Sequence, residues 1–568
     1  MKKILLKLMF LAMLVALLPV HVAQACSGFI VGKDLTADGS TLFGRTEDYP
    51  YAPDGGRHNK NYVVVPAKTY KEGDKLEDET NGFTYSHLAS EMKYTAVYDS
   101  DRGNGSNGDF GAHGFNEAGV SMTATVSASP NDKVLKEDPL VENGLAEASM
   151  VDLALPRAKT AREVIETVAK VLDEKGSAEG NVIVAADKNE LWYMEILSGH
   201  QYVAIKFPTN KYAVFANTYY LGHVDLNDKE NVIASKDVEE VAKKADNYKT
   251  DKDGNFMIAK SYGPDKYMER NRSRTYAGIK WMDPQAKVNY DDEAFDLLRE
   301  PTDPNKKYTV HDVIAEQRNR FEHLPEYKAD DLVEVGKKID GNVYKYALGN
   351  ENVIDAHVYQ IKPNLPNAFG GVMWLGLAQS RNTPYVPFYG NVEDTYEAFK
   401  NRSTKYDGKS WYWTVWHIDQ MVMKYPEIFG NSIQEKWKAK EAEWDKEQTE
   451  RDAKYANYTD EQAKAAGPEV TKEALERSEK IFKEIKAIEA EMEEKIKKEK
   501  GKDADLVYTG YNKANLLAEA EKGKSAEKAS DTKKDSSSQT TWIVIGVLVV
   551  LVGGFFGYKQ FNKKKEEE

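Results

Sequence analysis

The stretch "CSGFIVGKDLTADGSTLFGRTED", Cys26 to Asp48, reads as two short strands around a turn. "CSGFIVGK" and "STLFGRT" are strand-like runs, and Asp38-Gly39 between them is a turn signal. A hairpin of this kind returns the end of its second strand to the start of its first. Arg45 and Asp48, 19 and 22 positions after Cys26, are thereby brought beside it. An arginine there can hold a thiolate and bind a carboxylate, and an aspartate can orient an ammonium group. Taken alone, an arginine and an aspartate at a strand end are an ordinary surface ion pair. The neighbouring cysteine changes that weighting.

Cys26 is the only cysteine among 568 residues, and it stands where an export signal ends. Lys2 and Lys3 supply a positive start, Ile4 to Val20 an apolar run interrupted by Lys7, and Ala23-Gln24-Ala25 the small-x-small cleavage pattern. Cleavage after Ala25 leaves Cys26 with a thiol and a free α-amine. Their ordinary pKa values, about 8.5 and about 7.7 to 8.0, are close enough for the amine to take the thiol proton. Nucleophile and base then share one residue, the cysteine counterpart of an N-terminal threonine activated by its own amine. Two other readings stay open on these residues. One is a lipid anchor on the sulfur, although such sites carry Leu at minus three and a small residue at minus two, where this chain has Ala23 and Gln24. The other is an inert buried cysteine. A single cysteine makes no internal disulfide in any of the three cases.

A net charge of -14, with 30% charged residues, argues against a nucleic-acid binder, while 41% hydrophobic and 11% aromatic residues suit a folded body. Between 181 and 217, "NVIVAAD", "ELWYMEIL", "QYVAIKF" and "KYAVFANT" read as one antiparallel meander. Ahead of it, Thr160 to Gly176 places Val164, Ile165, Val168, Val171 and Leu172 on one helical face and ends on glycine. Sheet and helix come in blocks, which predicts an α+β fold. Residues 26–430 are expected to form the body and 431–520 a charged helical extension, in which Ile481, Ile485, Ile488, Met492 and Ile496 mark an amphipathic helix. A polar spacer over 521–541 leads to Trp542 to Tyr558, 17 uncharged residues that read as one short transmembrane helix. The following Lys559, Lys563, Lys564 and Lys565 put the tail 559–568 in the cytoplasm and the body outside.

The blocks "CSGFIVGKDLTADGSTLFGRTEDY", "GFNEAGVSMTATVS", "LALPRAKTAREVIETV", "VIVAADKNELWYMEI", "FANTYYLG", "RNRSRTYAG" and "YVPFYGNV" occur in that order. In them the chain resembles the PepD-like dipeptidases, cysteine members of the N-terminal nucleophile hydrolases, and more distantly bile salt hydrolases and penicillin acylases. The resemblance implies an αββα four-layer sandwich. It also implies Cys26 as nucleophile, Arg45 and Asp48 flanking it, Asn116 as oxyanion donor, Asn217 as a partner of the Cys26 amine, and Arg274 as a remaining arginine, with Arg272 two residues away. The activity implied is hydrolysis of dipeptides through a thioester. A related amidase acting on a non-peptide amide is the nearest alternative, and a non-catalytic surface lipoprotein or adhesin is the alternative from another class.

Other signals are weaker. "GNGSNG" (Gly103 to Gly108) matches a dinucleotide fingerprint but does not run into a helix. The ten histidines lack zinc-ligand spacing, so neither a metal nor a cofactor is expected. "WYWTVWH" (Trp411 to His417) reads as core. The oligomeric state is not legible.

Overall fold

The chain is seen here as a computed structural model that describes residues 26–49, 58–100, 110–124, 126–324 and 347–510, with the short pairs 338–339 and 342–343. β1 (Ser27–Val31) and β2 (Thr41–Asp48) form the expected hairpin, with Ser27 opposite Thr46 and Gly28 opposite Arg45. The main sheets also use β3 (Lys60–Val65), β4 (Tyr94–Asp99), β5 (Gly111–Phe115), β6 (Ser121–Ala124), β7 (Asn181–Ala186), β8 (Leu191–Ile196), β9 (Tyr202–Lys206), β10 (Tyr212–Phe215), β11 (Val232–Ala234), β12 (Val353–Ile361), β13 (Val372–Leu377) and β14 (Val386–Tyr389). One sheet has six strands in the order β10-β1-β2-β12-β13-β14, and the other has eight, β11-β9-β8-β7-β6-β5-β4-β3. Neighbouring strands are antiparallel throughout both sheets.

The meander expected over 181–217 therefore divides. β7, β8 and β9 stay together, but β10 leaves for the other sheet and pairs with β1. Alternation in "KYAVFANT" marks a strand without saying which edge it joins. The β1–β10 ladder continues one step past β1, where the Gly32 N–H donates to the Lys211 carbonyl at 2.9 Å.

Two helices, α1 (Glu147–Ala154) and α2 (Ala161–Lys175), cover the eight-stranded sheet, and α3 (Glu269–Met282) and α4 (Val310–Gln317) cover the six-stranded one. Helix, sheet, sheet and helix make the four layers expected. α2 begins at Thr160, whose hydroxyl accepts from the Glu163 N–H at 3.1 Å, and ends at Gly176 with φ +72°. Val164, Ile165, Val168 and Leu172 pack with Ile183, Trp192, Met194 and Tyr202 in an apolar layer between the helices and the sheet.

The space between the two sheets is built differently. On β2 the alternate residues Phe43, Arg45 and Glu47 lie opposite Tyr359, His357 and Asp355 of β12. Thr123 of β6 and His113 of β5 are paired on the facing sheet. All of these are buried, so the interior of the sandwich is a polar and aromatic layer.

The helical extension is part of the same compact unit, which runs to Gly510. α5 (Trp411–Lys424) carries the buried "WYWTVWH" cluster as expected. α6 (Ser432–Tyr455) docks through Trp437, Trp444 and Tyr455, and α7 (Gly467–Lys500) buries the Ile481, Ile485, Ile488, Met492 and Ile496 stripe. Among the described residues no helix is long and apolar enough to cross a membrane. The expected signal peptide, "GNGSNG", the spacer 521–541, the segment 542–558 and the tail 559–568 lie outside the described residues.

Candidate active site

Cys26 immediately precedes β1 and is fully enclosed. Two arginines bracket it. Arg45 points Nη1 at the sulfur, 3.4 Å away. Its Nη2 donates to Glu47 Oε2 at 2.8 Å and its Nε to Thr123 Oγ1 at 3.1 Å, so the guanidinium is gripped at its other nitrogens. Glu47 is held in turn by Lys60 at 2.7 Å, and Lys60 by Asp99 at 2.6 Å. Arg274, on α3, donates to the Cys26 carbonyl and, at 2.9 Å, to Ser27 Oγ. Its Nη2 donates to Asn217 Oδ1 at 2.8 Å and to Asn271 Oδ1 at 2.9 Å.

Asp48 ends β2, one residue past the position that faces Cys26 when the hairpin register is continued. Its Oδ2 accepts from Asn350 Nδ2 at 2.6 Å. Its Oδ1 is buried without a hydrogen-bond partner among the described residues. Asp48 is near enough to Cys26 to act electrostatically on its thiol.

The electrostatics follow from this packing. Burial pushes the Cys26 thiol up to about 12, with Arg45 pulling it down. Burial also lifts the Asp48 carboxyl to about 7, against the opposing pull of Arg274 and the Asn350 amide. Arg45 keeps its charge despite burial because Glu47 and the sulfur favour it. The enclosed sulfur is therefore protonated at neutral pH, and its nitrogen is a non-basic peptide amide while residue 25 remains attached.

Of the residues predicted from sequence, Cys26, Arg45, Asp48 and Arg274 converge. Arg272, the rival of Arg274, turns away and donates to the Tyr290 carbonyl at 2.7 Å. Asn217 joins through Arg274, while its Nδ2 donates to the Ser127 carbonyl at 2.9 Å rather than reaching Cys26 directly. Asn116 does not join. Its Nδ2 donates to the Leu155 and Ala158 carbonyls at 2.7 and 2.6 Å, and its Oδ1 accepts from the Ala118 and Val120 N–H groups. Both amide hydrogens are engaged, so Asn116 clamps the β5–β6 turn against the segment after α1, and these bonds do not support an oxyanion role.

Residues 25–478 match the model of peptidase family C69. The chain belongs to that family. It is 49% identical over 486 residues to "Probable dipeptidase B" of Streptococcus pyogenes serotype M1, spanning 84% of this chain and 95% of the relative. It is 33% identical over 392 residues to "Probable dipeptidase" of Latilactobacillus sakei, spanning 69% of this chain and 79% of that one. Among solved structures, a variant of conjugated bile acid hydrolase from Clostridium perfringens aligns over 62% of this chain and 89% of its own, at 12% identity and a TM-score of 0.23.

The match to family C69 begins one residue before Cys26 and runs into α7, so α6 and most of the extension fall inside the family's span. The C69 chain also sets around the candidate site residues that the sequence reading missed: Glu47, Thr123, Glu147, Asn271 and Asn350. Glu147, at the start of α1, accepts from Ser127 Oγ at 3.1 Å and adds negative potential at Cys26. One signal was available. Arg45 and Glu47 lie two apart and so share one face of their strand, as do Asp355 and His357 in "VIDAHVYQI".

Among the described residues, His113, Asp355 and His357 have metal-ligand chemistry, with ligand atoms within 4.8 Å of one another. Their two imidazoles are stacked, with centroids 3.6 Å apart and planes 20° from parallel. A metal lies in the plane of each imidazole that binds it, and one ion cannot lie in two separated, nearly parallel planes. The group is a hydrogen-bonded triad.

Proposed function

We propose that this chain is an exported cysteine dipeptidase whose nucleophile is Cys26, released as the N-terminal residue by cleavage after Ala25. The single observation that carries this reading is the placement of Arg45 Nη1 at 3.4 Å from Sγ, at the end of the hairpin that Asp48 closes. The names of the relatives supply the substrate class.

After cleavage the Cys26 amine takes the thiol proton, and Arg45 stabilises the thiolate. The sulfur attacks the peptide carbonyl carbon. The tetrahedral adduct collapses as the ammonium hands its proton to the leaving amine, so the C–N bond breaks and a thioester remains. Water then adds to the thioester with the amine as base, the C–S bond breaks, and the sulfur leaves as a thiol. Asp48 holds the ammonium while it carries the proton, and Arg274 fixes the Cys26 carbonyl so that amine and sulfur keep one geometry. Residues 1–25 act as the export signal and 542–558 as a tether, with the catalytic body outside the cell.

Edman sequencing and intact mass of the purified mature protein test the starting point: an N-terminal Cys26 with an unmodified sulfur is expected, and a diacylglyceryl mass on it ends the proposal. Cys26→Ala is expected to abolish turnover of a dipeptide panel at unchanged Tm. One residue added before Cys26 should lower kcat by at least about a hundredfold, because the base is then an amide.

A further inference from the structure

The polar layer between the sheets forms one directed chain that ends on the nucleophile's arginine. Arg45 Nε donates to Thr123 Oγ1 at 3.1 Å, and Thr123 Oγ1 lies 3.0 Å from His357 Nε2. His357 Nδ1 is 3.1 Å from Asp355 Oδ2, and His113 Nε2 is 3.2 Å from the same oxygen. His113 Nδ1 is 2.7 Å from the Tyr359 hydroxyl.

One proton assignment satisfies every link. An ionised carboxylate only accepts, so both ring nitrogens facing Asp355 carry hydrogen. That leaves His357 Nε2 and His113 Nδ1 as bare acceptors, and they take the hydroxyl hydrogens of Thr123 and Tyr359. Thr123, its hydrogen directed at His357, presents lone pairs to Arg45 Nε–H. The charge states agree with this assignment. Burial drives His113 and His357 down, His357 to about 3, so both are neutral. Burial favours a neutral Asp355, but the N–H groups that the two histidines donate to it oppose this and keep its carboxyl well below the usual carboxylate range.

We propose that Thr123, His357 and Asp355 are positioning residues that aim Arg45 at the Cys26 sulfur. Without the Thr123 acceptor, Arg45 loses the bond that fixes its Nε, and the aim of its Nη1 at Sγ is loosened. The inference rests on Cys26 being the nucleophile. It adds to that reading a device, built on strands outside the hairpin, that sets the thiolate's stability. The charged groups around Arg45 and the sulfur are Glu47, Asp48, Glu147 and Asp355, with Lys60 and Arg274.

The test uses the mature full-length protein, where a single cysteine makes thiol chemistry unambiguous. Thr123→Val removes the hydroxyl at nearly constant shape, and Thr123→Ser restores it. The pH dependence of inactivation by iodoacetamide and the acid limb of kcat/KM for a dipeptide both report the Cys26 thiol. In Thr123→Val both profiles should move up by about one pH unit or more, kcat should fall at least about tenfold, and KM should change less than threefold. Thr123→Ser should return each within about threefold. If Thr123→Val does not accumulate as folded protein, Thr123→Ala carries the same expectation. Unmoved profiles in a folded variant overturn the inference. Turnover surviving in Cys26→Ala overturns the nucleophile instead, so the two failures are distinguishable.

Discussion

Arg45 does three things at once: it faces the sulfur, ties to Glu47 and ties to Thr123. Lysine has the same charge but a single donor head and cannot span the three partners. Arg45→Lys should therefore leave Tm nearly unchanged and lower kcat/KM about a hundredfold, as steady-state kinetics on a dipeptide would read. Glu316 allows a pH prediction away from the site. It is buried, and burial alone lifts its carboxyl to about 8 from the usual 4.5. The native state thus binds this proton more tightly than the unfolded one. Its contribution to stability is complete below about pH 4.5 and is lost as pH rises through 8, at about 1.4 kcal/mol per pH unit. Glu316→Gln cannot ionise, so thermal melts should show a higher Tm than the parent at pH 9 and little difference at pH 4. An equal shift at both pH values would dismiss the account. At this scale Cys26, Arg45 and Asp48 were readable because a hairpin of known turn position fixes who neighbours whom. The bonds that Asn116 makes to the Leu155 and Ala158 carbonyls were not readable, because a family position does not reveal which carbonyls a side chain finds.

The elements differ in how plainly their sequences announce them. α2 has a capping threonine, an apolar stripe and a terminal glycine, and it forms over Ala161–Lys175 as read. Thr160→Ala should cost about 1 kcal/mol by denaturant titration, through the lost bond to the Glu163 N–H. α7 shows its buried stripe as isoleucines. α6 does not, since its inward positions are Ile433, Trp437, Glu441, Trp444, Gln448, Asp452 and Tyr455, three of the seven polar. Charged residues on a Glu- and Lys-rich helix read as solvated until their partners are known. β2 and β12 lie so close that a Cβ at Gly44 would sit 2.0 Å from the His357 carbonyl oxygen. Gly44→Ala must push the two strands apart, and stability and activity should fall together, unlike the selective kinetic loss expected of Arg45→Lys.

Buried ion pairs join α6 to the sandwich, Arg318 with Glu441 and Lys362 with Asp452. Arg318, after α4, makes a two-pronged bond to Glu441 of α6, at 2.6 and 2.9 Å. Glu441 also accepts from the Tyr385 N–H at 2.8 Å. Glu441→Ala strands a buried guanidinium and should cost about 3 to 5 kcal/mol, read as a fall in denaturation midpoint. A chain ended at residue 430 should fail to accumulate as folded protein, because it exposes the faces that Trp437, Trp444 and Tyr455 cover. A stable truncated form would show the extension to be dispensable. The boundary drawn at 430 followed a change in composition, and composition records where charges are common, not whether they are paired. By itself, the sequence determined the β1–β2 hairpin, the place of Cys26 before it, the helix over Ala161–Lys175 and the buried stripes, because each depends on residues near one another in the chain. Only the tertiary structure decided that β10 crosses to the six-stranded sheet, that Arg274 rather than Arg272 meets Cys26, and that His113, Thr123, Asp355 and His357 form one layer. Strand alternation tells which residues share a face. Which distant face lies opposite is settled only when the two sheets close on each other.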